Sequence, residues 1–414
     1  MSQRPLQGVR ILDLTHVWAG PLGIRLLADL GADVVKVEAP LARGAAVRPA
    51  TGAGLFVGGE PAADPWNRQA LFIKLNRGRR GMCIDLKSHE GKSLLLALVR
   101  EADVITENFS AHAMSNLGLG YDVLSDTNPQ IIYVTMPGYG SDGPYSGLTA
   151  FGPSVEPMTG LGAMLGYSKA EPRNSAMALI DAVAGVSAAS AMVTALNRRL
   201  TTGKGSRVEL SLHEAGVSLF GDFLVAEQLG SQPQPTGNAH PHYAPHGIYP
   251  AQGDDNWLAI ACPDAAAWSA LRREIGESWL SDGRFDLAEQ RLAQQAQLDE
   301  LLGSWTRGQN KHDLAARLQQ AGVPAGAVNT APDVLQDEHL LQRGYWVDQA
   351  LVDQPAVRYP GIAIRLNQQE AVCGRPAPKF GEHNREVLQD WLDASDARVD
   401  ELIAGGVLLD RPPG

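Results

Sequence analysis

The segment from Ile11 to Glu38, ILDLTHVWAGPLGIRLLADLGADVVKVE, restricts the possible folds more than any other stretch. An aliphatic run, Val9 to Leu14, stops at the polar pair Thr15-His16, turns through Ala19-Gly20-Pro21 and becomes helical. Leu22, Ile24, Leu26, Leu27 and Leu30 are spaced to give that helix a buried side. Gly31 ends it, and Val34-Val35-Lys36-Val37 opens a second strand. A strand–helix–strand crossover of this kind joins parallel strands. Ligands of parallel sheets bind at the carboxyl ends of the strands, which here means Thr15 to Pro21. The turn lacks the G-x-G-x-x-G that cradles a dinucleotide pyrophosphate, so a nicotinamide cofactor is not indicated.

Further strand signals follow at Met82–Leu86, Val104–Glu107 and Ile131–Thr135, with a helix over Glu90 to Glu101 that buries Leu94, Leu95, Leu96, Leu98 and Val99. This alternation predicts an α/β fold with a mainly parallel sheet. Residues 41–70, rich in Gly, Ala and Pro, read as a long loop. A long Ala-rich helix is predicted over Ala182 to Leu200, and a strand over Val208–Leu212. Residues 231–247 carry many Pro and His and read as a linker or lid. Beyond them a second domain has its own strand, Trp257–Ala261. The tail, with Val357–Tyr359, Ile362–Leu366 and a helix near Asn384–Leu392, is placed back on the first domain. The predicted organisation is therefore 1–225 for the large α/β domain, 226–330 for a smaller one, and 331–414 for the returning segment.

At 414 residues the chain can bury more than one core. A balance of 35 basic and 46 acidic residues argues against a general nucleic-acid or anionic-membrane binder. Cys83, Cys262 and Cys373 form no C-x-x-C pair, which fits a reducing, cytoplasmic setting with neither a disulfide frame nor a zinc site. No signal peptide and no apolar run of about 18 residues is read from the sequence.

Asp181 is the sharpest candidate for chemistry, because it stands directly before the small-residue helix. There the unpaired N–H groups and the positive helix end would keep it ionised as a nucleophile and stabilise an oxyanion. The plain alternative is an N-cap. Lys87 follows a strand where a cation can meet a phosphate. Arg77, Arg79 and Arg80 just before it read more simply as a solvated basic turn. Asn108-Phe109 ends the next strand, where an aromatic beside an amide suits an adenine or simply a packed loop. Gly138-Tyr139-Gly140 reads as a turn. His240, His242 and His246 lie in a Pro-broken loop with no carboxylate or cysteine cluster, so no metal is assigned to them.

LDLTHVWAGP (12–21), LLADLGADVVKVE (26–38), NRGRRGMCIDLK (76–87), ADVITENF (102–109), GYGSDGPY (138–145), the Asp181 region, TGKGSRVELSL (202–212) and GEHNREVL (381–388) occur in this order. Together they resemble the class III CoA-transferases, the family of formyl-CoA, carnitine and bile-acid CoA-transferases. The resemblance implies an acyl-CoA donor, a carboxylic acid acceptor, no permanently bound cofactor and no metal. It places the nucleophile at Asp181, passing through an aspartyl anhydride and an aspartyl-CoA thioester. It matches His16, Val17, Trp18 and Ala19 to the pantetheine end of CoA. Ile84, Lys87, Asn108, Phe109 and Tyr139 match nucleotide-contact positions. Ala39, Asn116 and Pro137 depart from the family's basic residues, and Ala239 to Tyr243 replace its glycine-rich lid loop. Trp18 and Tyr243 suggest an acid larger or more apolar than oxalate. The fold implied is a Rossmann-like large domain plus a smaller α+β domain in an interlocked homodimer. An acyl-CoA racemase of the same superfamily is the nearest rival. It needs two bases, and Phe151 stands where a racemase has histidine. A non-catalytic subunit of a heteromeric transferase is the other alternative, and the retained Asp181 speaks against it.

Overall fold

The computed structural model describes residues 4–41, 56–57, 64–281, 283–351, 354–366 and 374–413. They form two compact units: residues 1–162, 174–228 and 340–414 in the first, and residues 163–173 and 229–339 in the second. Cys373 and most of the 41–70 stretch lie outside the described residues. Within that stretch, Pro65–Asn67 makes a 3-10 turn, and Ala70–Asn76 begins a helix.

The first unit is built on six strands: β1 (Arg10–Asp13), β2 (Asp33–Glu38), β3 (Arg79–Cys83), β4 (Val104–Glu107), β5 (Ile132–Thr135) and β6 (Ser206–Glu209). All neighbours are parallel, in the order β3-β2-β1-β4-β5-β6. This is the doubly wound Rossmann order, and it reverses direction between β1 and β4. Helices α1 (Ala19–Asp29), α2 (Ala70–Asn76), α3 (His89–Glu101) and α4 (Leu179–Thr202) connect and cover the strands. Side chains alternate across the sheet, so Ile11 and Leu12 enter different cores. On one face Leu12, Val35 and Ile105 pack with Leu95, Leu98 and Val99 of α3. The same layer takes residues from α5 (Asn384–Leu392) and α6 (Asp396–Ala404), among them Val387, Trp391, Val399 and Leu402. On the other face Ile11, Val34, Val104 and Val134 meet Ile24 and Leu27 of α1 and Ala184, Ala188 and Met192 of α4.

Several sequence expectations shift here. Strand β3 starts three residues before the predicted Met82, because Arg79 and Arg80 are sheet residues rather than a solvated turn. Arg77, Arg79 and Arg80 are all buried. Arg77 pairs with Asp29 at 2.7 Å, Arg79 with Asp13 at 2.6 Å and Arg80 with Asp33 at 2.5 Å. Paired charges of this kind escape the rule that basic runs face water. β6 likewise lies two residues earlier than expected, and Ile362–Leu366 forms no strand.

Helix α1 buries Gly20, Gly23 and Arg25 along with Ile24 and Leu27, while Leu22, Leu26 and Leu30 are only half-buried. The reason is close packing on α4. A Cβ on Gly23 would overlap the Gly185 carbonyl, and one on Gly185 would overlap that of Ala19. Small residues thus bring the two backbones together. An 18-residue window of α4 has a mean hydropathy of 1.7, so by length and composition the helix is apolar enough to cross a membrane. Half of that window is buried, much of it against α1 and the sheet.

In the second unit β7 (His246–Pro250), β8 (Trp257–Ala261) and β9 (Ala325–Ala327) make an antiparallel sheet in that order. Helices Ala265–Ile275, Gln295–Thr306 and Lys311–Gln320 close its core around Trp268, Leu271, Leu302 and Leu318.

Candidate active site

The loop after β1 is fixed from below by charge. Asp13 is fully buried between Arg79 at 2.6 Å and Lys36 at 3.7 Å. It accepts the Thr15 N–H at 2.9 Å and the Thr15 hydroxyl at 2.6 Å. Burial alone would raise its pKa; the two cations and the Thr15 bonds more than offset that and hold it below the usual value. From the end of β4, Asn108 grips the next residue twice. Its Oδ1 accepts the His16 N–H at 2.6 Å, and its Nδ2 donates to the His16 carbonyl at 2.8 Å. The His16 ring stacks on Phe109 with centroids 5.1 Å apart. Burial, aided by Lys36, lowers the His16 pKa to about 4, so its imidazole is neutral at pH 7. Val17 is then forced to a φ of 63°, uncommon for a β-branched residue, with its side chain exposed. This loop occupies the crevice between β1 and β4, where the strand order reverses.

Asp181 reaches the same crevice from α4. The helix begins at Leu179, three residues earlier than predicted, behind Ala178 in the left-handed region (φ 47°). Asp181 is therefore in the first turn and is not the N-cap. Its N–H donates to the Ala178 carbonyl at 3.0 Å, and its carboxylate has no hydrogen-bond partner among the described residues. Glu156 holds the incoming chain, accepting the Ser175 hydroxyl at 2.6 Å. Ser175 Oγ in turn accepts the Leu179 N–H at 3.3 Å. Burial raises the Asp181 pKa to about 6. Desolvation thus raises the group above the ordinary carboxylate range, and the carboxylate form still prevails at pH 7.

A cavity of about 240 Å³ is lined by Asp181 together with His16, Val17, Trp18 and Ala19, by Asn108 and Phe109, and by Phe151 and Gly152. Seven of the ten residues singled out from sequence thus converge. Ile84 is fully buried in the α3-side core, its backbone bridged to Leu408. Lys87 is exposed on the turn before α3. Tyr139 stands apart from the cavity lining and donates from its hydroxyl to the Met158 sulfur at 3.1 Å. Two residues that matter were not seen in the sequence. A Cβ on Gly152 would overlap Asp181 Oδ2, so only glycine leaves the carboxylate its place. Glu156 is the other; its signal is an acidic residue within the apolar segment Val155 to Met158.

The model of CoA-transferase family III matches residues 6–384. The chain belongs to this family. It is 31% identical over 413 residues to the succinyl-CoA–D-citramalate CoA-transferase of Chloroflexus aurantiacus, covering 98% of each chain. It is 31% identical to the succinate–glutarate CoA-transferase of Agrobacterium fabrum, over 93% of this chain and 95% of that one. Among solved structures, a CaiB/BaiF family protein from Brucella suis superposes with a TM-score of 0.84 at 31% identity, covering 94% of this chain and 100% of the other. For a member of CoA-transferase family III, a partly buried carboxylate facing the β1 loop is the feature to be explained.

Proposed function

We propose that the protein transfers CoA from an acyl-CoA to a carboxylic acid, with Asp181 as the nucleophile. The observation that carries this reading is an unpartnered, half-buried carboxylate in a cavity at the carboxyl end of β1. An Asp181 oxygen attacks the thioester carbonyl, forming a C–O bond as the C–S bond breaks. The products are an acyl–aspartyl anhydride and CoA thiolate. The thiolate then attacks the Asp181 carbonyl of the anhydride, releasing the donor acid and leaving an aspartyl-CoA thioester. The acceptor carboxylate attacks that thioester and expels thiolate again; the thiolate takes the new acyl group, and Asp181 is restored. No proton is gained or lost, and no metal or redox partner enters. A carboxylate is a weak nucleophile, so exclusion of water from the anhydride matters as much as basicity.

His16, Val17, Trp18 and Ala19 are assigned to the pantetheine end and Asn108 and Phe109 to the nucleotide side, with Ile84, Lys87 and Tyr139 carried as further contacts. A racemase would need a second base. Phe151 cannot serve, and neutral His16, with a pKa of about 4, is a poor base at pH 7. We further propose an interlocked homodimer in the cytoplasm; the free, buried Cys262 suits a reducing compartment.

Asp181→Ala is expected to abolish CoA exchange while still unfolding in a single cooperative transition. Incubation of the wild type with an accepted donor alone is expected to add an acyl or CoA mass to Asp181. Near-normal turnover by the variant, or an adduct trapped by hydroxylamine on another residue, would sink the assignment.

A further inference from the structure

The chain leaves the first unit after residue 162 and returns to it at residue 174, shortly before Asp181. The point of return is held by a bracket, the short helix Gly152–Val155 running into the 3-10 turn Glu156–Thr159. This bracket meets the returning chain at three places. The Pro153 carbonyl accepts from the Asn174 side-chain amide at 3.2 Å. The two Glu156 oxygens accept from Ser175, one from its N–H at 2.5 Å and the other from its hydroxyl at 2.6 Å. Gly152 lies so close that a Cβ on it would overlap Asp181 Oδ2 and stand 3.2 Å from the Ala178 Cβ. Val155, between these contacts, is fully buried in the core that also holds Ile180, the neighbour of Asp181.

Glu156 is 1% exposed, and no ion pair reaches it among the described residues. A carboxylate buried without a cation is unfavourable unless its oxygens are hydrogen-bonded, and here both bonds go to one residue. Ser175 passes the constraint on. Its Oγ accepts the N–H of Leu179, the first residue of α4, at 3.3 Å. That N–H is one of those a helix start leaves without an intrahelical partner, and Ala178, at the cap, has no side chain to fill it. Ala178 is also held in the left-handed region, which disfavours residues other than glycine. The first turn of α4 therefore starts where Ser175 fixes it, and Asp181 is in that turn.

We infer that Glu156, acting through Ser175, is a positioning residue for Asp181. It sets the first turn of α4 so that the carboxylate stands against Gly152 and borders the same cavity as the β1 loop. This rests on the reading of Asp181 as the nucleophile. Glu156 itself does not line the cavity and takes no part in bond making. A glutamine can make the same two contacts once the serine hydroxyl turns, so position 156 supplies placement rather than charge.

Single-turnover labelling of Asp181 by an acyl-CoA, followed by mass spectrometry, reads this placement directly. Acetyl-, butyryl- and succinyl-CoA are offered, and the one that labels wild type fastest is used throughout. Misplacing a reacting group by about 1 Å can cost about 100-fold in rate. Glu156→Leu is therefore expected to lower the saturated labelling rate about 10- to 100-fold, with the calorimetric Kd for free CoA unchanged. Ser175→Ala, at a half-buried residue, is expected to lower it about tenfold and keeps the test open should Glu156→Leu misfold. Glu156→Gln is expected to stay within about threefold of wild type, because both contacts survive. An Asp181 adduct that forms at the wild-type rate in Glu156→Leu and Ser175→Ala overturns the positioning role. So does a loss in Glu156→Gln as deep as in Glu156→Leu, which would make the charge a participant. A matching loss of CoA affinity also overturns it, as the mark of a general structural defect. No adduct in wild type, or one on a residue other than Asp181, overturns the nucleophile reading and the positioning role with it.

Discussion

Burial raises the Asp181 carboxyl to about 6, so folding and reactivity pull against each other at this residue. For an acid whose folded pKa exceeds its unfolded value near 4, the native state binds the extra proton between those two values. Stability therefore falls as pH rises through that window. Asp181→Asn, which cannot ionise, is expected to melt at a higher temperature than wild type at pH 8, with the gap closing as pH falls from 6 towards 4. Thermal melts across that range check it; a gap that does not depend on pH would contradict the burial argument. The same titration predicts an acidic limb in kcat/KM near pH 6, absent any contribution from His16, which stays neutral there. The family motif made Asp181 legible in the sequence, but its environment was not. Neither the Gly152 contact nor the Glu156–Ser175 tether lies within a few residues of it in the chain.

Between helices, the α1–α4 crossing sets where the β1 loop and Asp181 meet. Gly185→Ala places a methyl against the Ala19 carbonyl, and the helices must part to admit it. A loss of about 1–3 kcal/mol is expected from such overpacking. Denaturant unfolding measures it, and a change under a few tenths would show that the crossing can relax. The sequence revealed the elements themselves, because hydrophobic spacing is local: α3, β4 and the helix Asn384–Leu392 fall where expected. It misplaced β3 and the buried face of α1 because those depend on partners. Arg79 enters the sheet only because Asp13 waits beside it, and Gly23 is buried only because Gly185 is opposite.

Across the molecule, the parallel sheet is finished by residues far along the chain. Helices α5 and α6 pack Val387, Trp391, Val399 and Leu402 over the face that also holds α3, and the Trp391 indole donates to Asp33 at 3.0 Å. Truncation after residue 383 is expected to leave that face uncovered. The shortened chain should expose apolar surface to a dye such as ANS and lose the cooperative melt of the first unit. A sharp melt with no dye binding would refute this. The return of the C-terminal segment also fixes an order of events during synthesis. By the time residue 339 has left the ribosome, the second unit has every residue it needs, while the sheet that began with Arg10 still lacks its outer layer. The sheet's early strands are thus sealed only after the second unit has been made, and an apolar face must be kept from wrong partners until then.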